Sequence, residues 1–394
     1  MSMRAIACLG ALAAVIALVG CRKPESDVIK VGHFASMTGP TATFGQSTDK
    51  GIRLAIDEIN KQGGVLGKKI VVITEDDAGK TEEAAAAVQK LITRDRVVAV
   101  LGEVASSRSI VGGNICESAG IPMISPASTN PKVTQGKKWV FRICFVDTFQ
   151  GAAMARFCFE HLKARTAAIL KDRKNEYSVG LAEFFAKTFE QLGGRIVADE
   201  NYQEGDVDFK PQLAKIKAAD PDVLFVPGYY TECGLILKQA RRDLGMNLPV
   251  TGGDGWDSAS LIQEIRGDLE GQGVYFGNHF SPFEQRPEVQ EFVKKFKERY
   301  GELPDAMAAL GYDAARILVD AIRRAGSTDP AKIRDALEQT KDFPGVTGRI
   351  TIDEHHNAQK PLLVLRIRDG KTQVVATIPP MEVEVRPARA PRTR

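Results

Sequence analysis

The feature that most constrains the fold of this chain is an alternation of short, almost wholly apolar runs with amphipathic stretches, and it occurs twice. Ile29-Lys30-Val31-Gly32-His33-Phe34 reads as a strand. The loop through Gly39, Pro40 and Gly45 then leads to a helix whose apolar positions Ile52, Ala55, Ile56 and Ile59 follow the 3.6-residue period. Gly63-Gly64 stops that helix. Ile70–Thr74, Val97–Leu101 and Ile121–Ile124 read as further strands, separated by helices over Glu82–Asp95 and Ile110–Ala119. The pattern restarts with strands Ala167–Leu170, Arg195–Ala198, Asp222–Val226 and Pro249–Thr251, between helices Gly180–Leu192, Phe209–Ala218 and Cys233–Leu244. Apolar strands alternating with amphipathic helices predict parallel sheets covered on both faces, and two runs predict two doubly wound α/β lobes. Helices over Glu288–Tyr300, Met307–Arg324 and Ala331–Thr340 continue the pattern, and Leu362–Arg368 with Gln373–Ile378 forms a closing hairpin around Asp369-Gly370.

The first residues carry an address. Arg4 precedes an apolar run that ends at Leu18-Val19-Gly20-Cys21, and charge resumes at Arg22 and Lys23. This is the layout of a secretory signal, and the last four residues resemble the bacterial lipoprotein cleavage box. Cleavage before Cys21 and acylation of its thiol are expected, which places the mature protein in the periplasm or on the outer face of a bacterial membrane. As a membrane-spanning helix the run is short, since a bilayer core takes about 20 apolar residues. The 394 residues suffice for two cores, and a net charge of +3 from 53 basic and 50 acidic residues, interspersed along the chain, offers no face for nucleic acid. Beyond Cys8 and Cys21, the remaining Cys116, Cys144, Cys158 and Cys233 are widely spaced, and buried free thiols are the simplest expectation.

Enzymatic motifs fail one by one. Gly63–Lys68 is one residue short of a phosphate loop, and Lys69 rather than Ser or Thr follows its lysine. Ser47-Thr48-Asp49-Lys50 fits Ser-x-x-Lys, but its Ser-Asp-Asn and Lys-Thr-Gly partners are missing from the sequence. The histidines, His33, His161, His279, His355 and His356, do not adopt metal-ligand spacing, and His355-His356 reads as a solvated turn. No catalysis, cofactor or metal is expected.

What remains is a set of loops after predicted strands, where open parallel sheets bind ligands. Ala105-Ser106-Ser107-Arg108 opens a helix and offers N–H groups and hydroxyls to a carboxylate, and Pro126-Ala127-Ser128-Thr129 offers a second set. Either loop alone is equally a cap or a turn. Gly252-Gly253-Asp254-Gly255-Trp256 presents a carboxylate that suits an ammonium group or an Asx turn, and Tyr177 and Tyr229 supply aromatic walls.

From about Ile29 to Val375 the chain resembles the leucine/isoleucine/valine-binding proteins of bacterial amino-acid ABC importers. The resemblance rests on Met37-Thr38-Gly39-Pro40, Gly45, Gly51, Asp57-Glu58-Ile59-Asn60, Gly63-Gly64, Glu75-Asp76-Asp77, Ile121–Ala127 and Gly311-Tyr312-Asp313-Ala314. It implies the type I periplasmic-binding-protein fold, with ligand held between two lobes and delivered to a membrane permease. By the same resemblance Ser106, Thr129 and the Ala127 backbone hold the ligand carboxylate, Asp254 with Tyr177 or Tyr229 surrounds the amino group, and Phe44 and Met307 wall the pocket. Ser128 lies in the same loop as the carboxylate donors. Phe44 stands where the best-known members have tyrosine, Asp254 is a shorter acid, Met307 replaces an aromatic, and the family's cysteine pair near Gly79 and Ala105 is absent. An amino-acid-like ligand is therefore expected without leucine being specified. A ligand-sensing subunit for an amide, urea-like or aromatic acid is the alternative.

The expected divisions are a signal peptide at 1–20 and a lipid-anchored tether at 21–27. Lobe 1 takes 28–144 and 280–345, lobe 2 takes 145–279 and 346–380, and a disordered tail spans 381–394. Chain crossings are expected near Arg142–Asp147, Tyr275–Phe283 and Pro344–Asp353.

Overall fold

Short buried runs become the inner strands of two sheets. In the computed structural model, which describes residues 28–380, Val28–Ala35 (β1), Lys69–Asp76 (β2), Ala99–Leu101 (β3), Met123–Ser125 (β4) and Val140–Arg142 (β5) pair in parallel in the order β2-β1-β3-β4-β5. The expected signal, Cys21 with its tether, and the tail from 381 lie outside the described residues. β3, β4 and β5 are buried at every position, as strands covered on both faces must be.

The second sheet takes Thr166–Asp172 (β6), Arg195–Tyr202 (β7), Val223–Phe225 (β8), Val250–Gly252 (β9) and Val274–Asn278 (β10) as its parallel strands. Phe343–Gly345 (β11) and Gly348–Ile350 (β12) form a separate small hairpin. Leu362–Arg368 (β13) and Lys371–Ile378 (β14) then add an antiparallel edge, giving the order β14-β13-β10-β9-β8-β6-β7.

Helices follow the strands: Ala42–Lys61 (α1), Thr81–Lys90 (α2) and Ser106–Ala119 (α3) with the first sheet. Asp147–Arg156 (α4), Glu176–Gln191 (α5), Lys210–Ala218 (α6), Tyr230–Lys238 (α7) and Ala259–Glu264 (α8) accompany the second. Pro287–Tyr300 (α9), Ala306–Ala325 (α10) and Pro330–Glu338 (α11) come after it in sequence, and α10 returns to pack along α1. Gly51 of α1 faces the Ala308 carbonyl, and Gly311 of α10 faces the Thr48 carbonyl, each so close that a Cβ would collide with backbone. The two helices thus touch main chain to main chain.

The structure departs from the sequence expectation in the middle of the chain. Val274–Asn278, expected to belong in part to a crossing, is a fully buried strand paired with β9 and β13, so the crossing begins only at His279. β5 and α4 were not anticipated at all. β5 is three residues long, and α4 is buried nearly all round, so it shows no amphipathic period. His356, expected in a solvated turn, instead stacks on Phe141 with centroids 4.2 Å apart. Cys116, Cys144, Cys158 and Cys233 are free and buried, and burial pushes the Cys144 and Cys158 thiols up to about 12. No helix among the described residues is long and apolar enough to cross a membrane.

Candidate functional site

The carboxyl ends of β3 and β4 in the first sheet face those of β8 and β9 in the second across a cleft. Phe44, Val104, Ala127, Thr129, Tyr177, Tyr229, Asp254, Gly255 and Met307 line one small cavity there, of about 10 Å³. Seven of these are residues that the sequence singled out; Val104 and Gly255 are additions.

Local geometry explains how each is presented. Ala105 is extended and caps α3, so the helix begins at Ser106, whose hydroxyl oxygen accepts from the Asn130 N–H at 3.2 Å and keeps its own hydrogen free to donate. Ser128, expected among the ligand's donors, has its polar atoms engaged inside the first lobe. Its hydroxyl is 2.9 and 2.8 Å from the Glu103 and Val104 carbonyls and 2.6 Å from Ser109 Oγ, and its N–H donates to Ser125 Oγ. That makes it a brace for the Glu103–Ser109 loop. Neither Ser106 nor Ser128 lines the cavity.

On the opposite side, Asn175 caps α5 by accepting from the Tyr177 and Ser178 N–H groups, which aims Tyr177 into the cleft. Tyr177 stacks on Tyr229 with centroids 5.3 Å apart, and Tyr229 meets Phe44 edge to face at 5.6 Å. The Tyr177 hydroxyl accepts from the Gly255 N–H at 3.1 Å, whereas the buried Tyr229 hydroxyl has no partner. Burial pushes both phenols above their ordinary range.

Asp254 opens the short turn after β9 and is 3% exposed. Its Oδ1 accepts from Gln150 Nε2 at 3.0 Å, and its Oδ2 lies 3.0 Å from His279 Nε2. The same Gln150 amide donates to Asp147 Oδ1 at 2.9 Å, and its oxygen accepts from the Asp254 N–H at 2.8 Å. Asp147 is fully buried; burial first, and the Asp254 carboxylate second, push it up to about 8. Burial holds His279 below its ordinary value despite the nearby Asp254. Asp147, Gln150 and His279 escaped sequence reasoning. The one usable signal was position, since His279 directly follows the buried run of β10 and Asp147 lies one residue beyond the buried run that ends at Phe145.

The rims of the cleft are stitched together. The Tyr230 hydroxyl donates to the Pro40 carbonyl at 2.9 Å and accepts from the Thr43 N–H at 3.3 Å, and the Thr231 hydroxyl also reaches the Pro40 carbonyl at 2.9 Å. At the other end Asn130 Nδ2 donates to the Glu176 carbonyl at 2.6 Å and Lys132 pairs with the Glu176 carboxylate at 2.8 Å. Beside the cavity the Ala306 N–H, at the start of α10, donates to Asp257 Oδ2 at 2.7 Å. Every one of these bonds joins an element of the first sheet's layer to one of the second's, so the arrangement is a closed clamp.

A sequence model of the family described as periplasmic binding protein matches residues 28–372. The leucine-, isoleucine-, valine-, threonine- and alanine-binding protein of Pseudomonas aeruginosa is 33% identical over 330 residues, covering 84% of this chain and 87% of that one. Among solved structures, a leucine-binding protein of Thermotoga maritima superposes with a TM-score of 0.84 at 39% identity, covering 89% of this chain and 99% of that one. A branched-chain amino-acid transporter substrate-binding protein of Streptococcus pneumoniae, in complex with isoleucine, gives 0.83 at 34% identity, with 90% and 100% covered.

Proposed function

Because the chain belongs to the periplasmic binding protein family, we propose that it is the extracytoplasmic substrate-binding component of an ABC importer, capturing an amino acid, branched-chain or related, between its lobes and presenting it to the permease. The observation that carries this reading is that one small cavity gathers a buried carboxylate, an apolar wall of Phe44, Val104 and Met307, and backbone and hydroxyl donors around Ala127 and Thr129. Such a set matches the three parts of an amino acid: ammonium on Asp254, side chain on the wall, carboxylate on the Ser106 and Thr129 side. The chain binds without turnover, and a lipid on Cys21 holds it at the membrane.

A ligand shifts an open-to-closed equilibrium only by touching both lobes, and these contacts are divided between them. A charge-assisted hydrogen bond is worth about 1.5 to 3 kcal/mol, and each 1.4 kcal/mol is one decade of affinity. Asp254→Asn is therefore expected to weaken leucine at least about tenfold by calorimetry, while the des-amino analogue 4-methylpentanoate keeps its affinity. Ser106→Ala is expected to cost less, because backbone donors still hold the carboxylate. Equal losses for both ligands would remove Asp254 from ammonium recognition and favour a carboxylate-only or amide ligand.

A further inference from the structure

A buried carboxylate needs hydrogen bonds to hold its position, and the usual donors, arginine and lysine, would also neutralise it. Asp254 is held differently. Gln150 and His279 each occupy one of its oxygens, and neither brings a formal charge while the imidazole is neutral. With a carboxylate oxygen 3.0 Å away, Nε2 is the ring nitrogen that carries the proton, leaving Nδ1 as a bare acceptor, and Nδ1 is buried without a hydrogen-bond partner. The imidazole stacks on Phe145, centroids 3.6 Å apart and planes 23° apart. Phe145 lies in the chain crossing between β5 and α4, and His279 begins the crossing after β10. Asp254 is thus fixed by neutral groups from helix α4 and from the crossing after β10, which leaves its charge available to a cation in the cleft.

Resting on the reading that Asp254 receives the ligand's ammonium, we propose that His279 is the positioning residue for amine recognition: neutral, it orients the Asp254 carboxylate without spending its charge, and protonated, it takes the place of the ligand's ammonium. The charged groups about His279 bear on this. Asp254 faces Nε2, Asp147 stands behind Gln150, and Lys360 of the segment leading into β13 opposes a second positive charge. On the outer side the cavity that His279 also lines carries Glu284, Arg286, Glu288 and Arg349, of which Arg286 pairs with Glu284 and Arg349 with Asp342. Burial and Lys360 favour the neutral ring; only Asp254 favours the charged one.

The test is calorimetry of leucine and 4-methylpentanoate on wild type, His279→Phe, His279→Gln and Asp254→Asn at pH 5.5 and 7; if wild type gives no signal with leucine, the best-bound standard amino acid and its des-amino acid replace the pair. His279→Phe keeps the stacking but loses the hydrogen bond, and is expected to weaken the amino acid about tenfold with little change for the des-amino acid. His279→Gln retains a donor and is expected to recover most of that loss at pH 7. In wild type the amino acid binds more weakly at pH 5.5 than at pH 7, and His279→Gln flattens that difference. A selective loss in Asp254→Asn with none in His279→Phe, or a pH difference unchanged in His279→Gln, overturns the positioning role alone. No selective loss in Asp254→Asn overturns the underlying assignment of the ammonium site, and the proposal with it.

Discussion

Asp147 sits in α4 with no exposed surface, its Oδ2 has no hydrogen-bond partner, and a second carboxylate is one glutamine amide away. Burial and Asp254 raise its folded value to about 8, against about 3.9 for an unfolded aspartate. Between those two values the folded protein holds a proton that the unfolded chain has released. Stability from this group is therefore full below about pH 4 and is lost as pH rises through 8, at up to roughly 1.4 kcal/mol per pH unit. Asp147→Asn, which mimics the protonated acid, is expected to raise Tm by several degrees at pH 8 and by clearly less at pH 5 in scanning calorimetry. An equal shift at both pH values would show that the carboxyl is not the source. At this scale the sequence disclosed the residues whose chemistry matches a ligand and hid those whose chemistry matches a neighbour. Asp254 stands out between glycines, whereas Gln150 acquires its meaning only from a partner 104 positions away. Ser128 shows the converse, because a hydroxyl in a promising loop carries no mark in the sequence of the neighbours it turns to.

Helix α10 starts where the lobes meet. Asp305 caps it conventionally, its Oδ1 accepting from the Ala308 N–H at 2.9 Å, and Asp257 from the layer of the second sheet accepts the Ala306 N–H. Burial, with Asp305 as the next cause, pushes Asp257 up to about 7. Losing a cap bond costs about 1 kcal/mol, so Asp257→Ala is expected to weaken ligand about fivefold and to enlarge the unliganded radius of gyration in small-angle scattering. Asp257→Asn, which retains an acceptor, is expected to keep affinity. An Asp257→Ala protein with unchanged scattering and affinity would show that this bond does not latch the lobes. The helices and strands with strong periodicity, α1, α5, α9 and the β13–β14 hairpin among them, were legible because one face meets water. β10 and α4 were not, because uniform burial erases the contrast that periodicity depends on.

Across the whole molecule, two sequence runs became two sheets, and the division was readable since each run supplies its own covered strands. How the layers meet was not readable, being set by bonds such as Tyr230 to Pro40 that join residues 190 apart. The anchor belongs to this scale too: the described chain begins at Val28, and Leu18-Val19-Gly20-Cys21 lies just ahead of it. Intact-mass analysis of protein extracted from membranes is expected to show a mature chain starting at acylated Cys21, and Cys21→Ser to lack that acyl mass; an unacylated soluble wild type would refute the anchor. The main-chain contact between α1 and α10 also sets one wall of the cavity. Phe44 near the start of one helix and Met307 near the start of the other wall the same cavity, and Gly51 and Gly311 let the helices meet with no side chain between them. Helices already at backbone contact have no slack to slide closer or to shift register, so this side of the cavity behaves as a fixed jaw. Ligand choice can then be retuned there by exchanging the side chains at 44 and 307, as one changes the inserts of a vice, while its frame stays where the glycines put it.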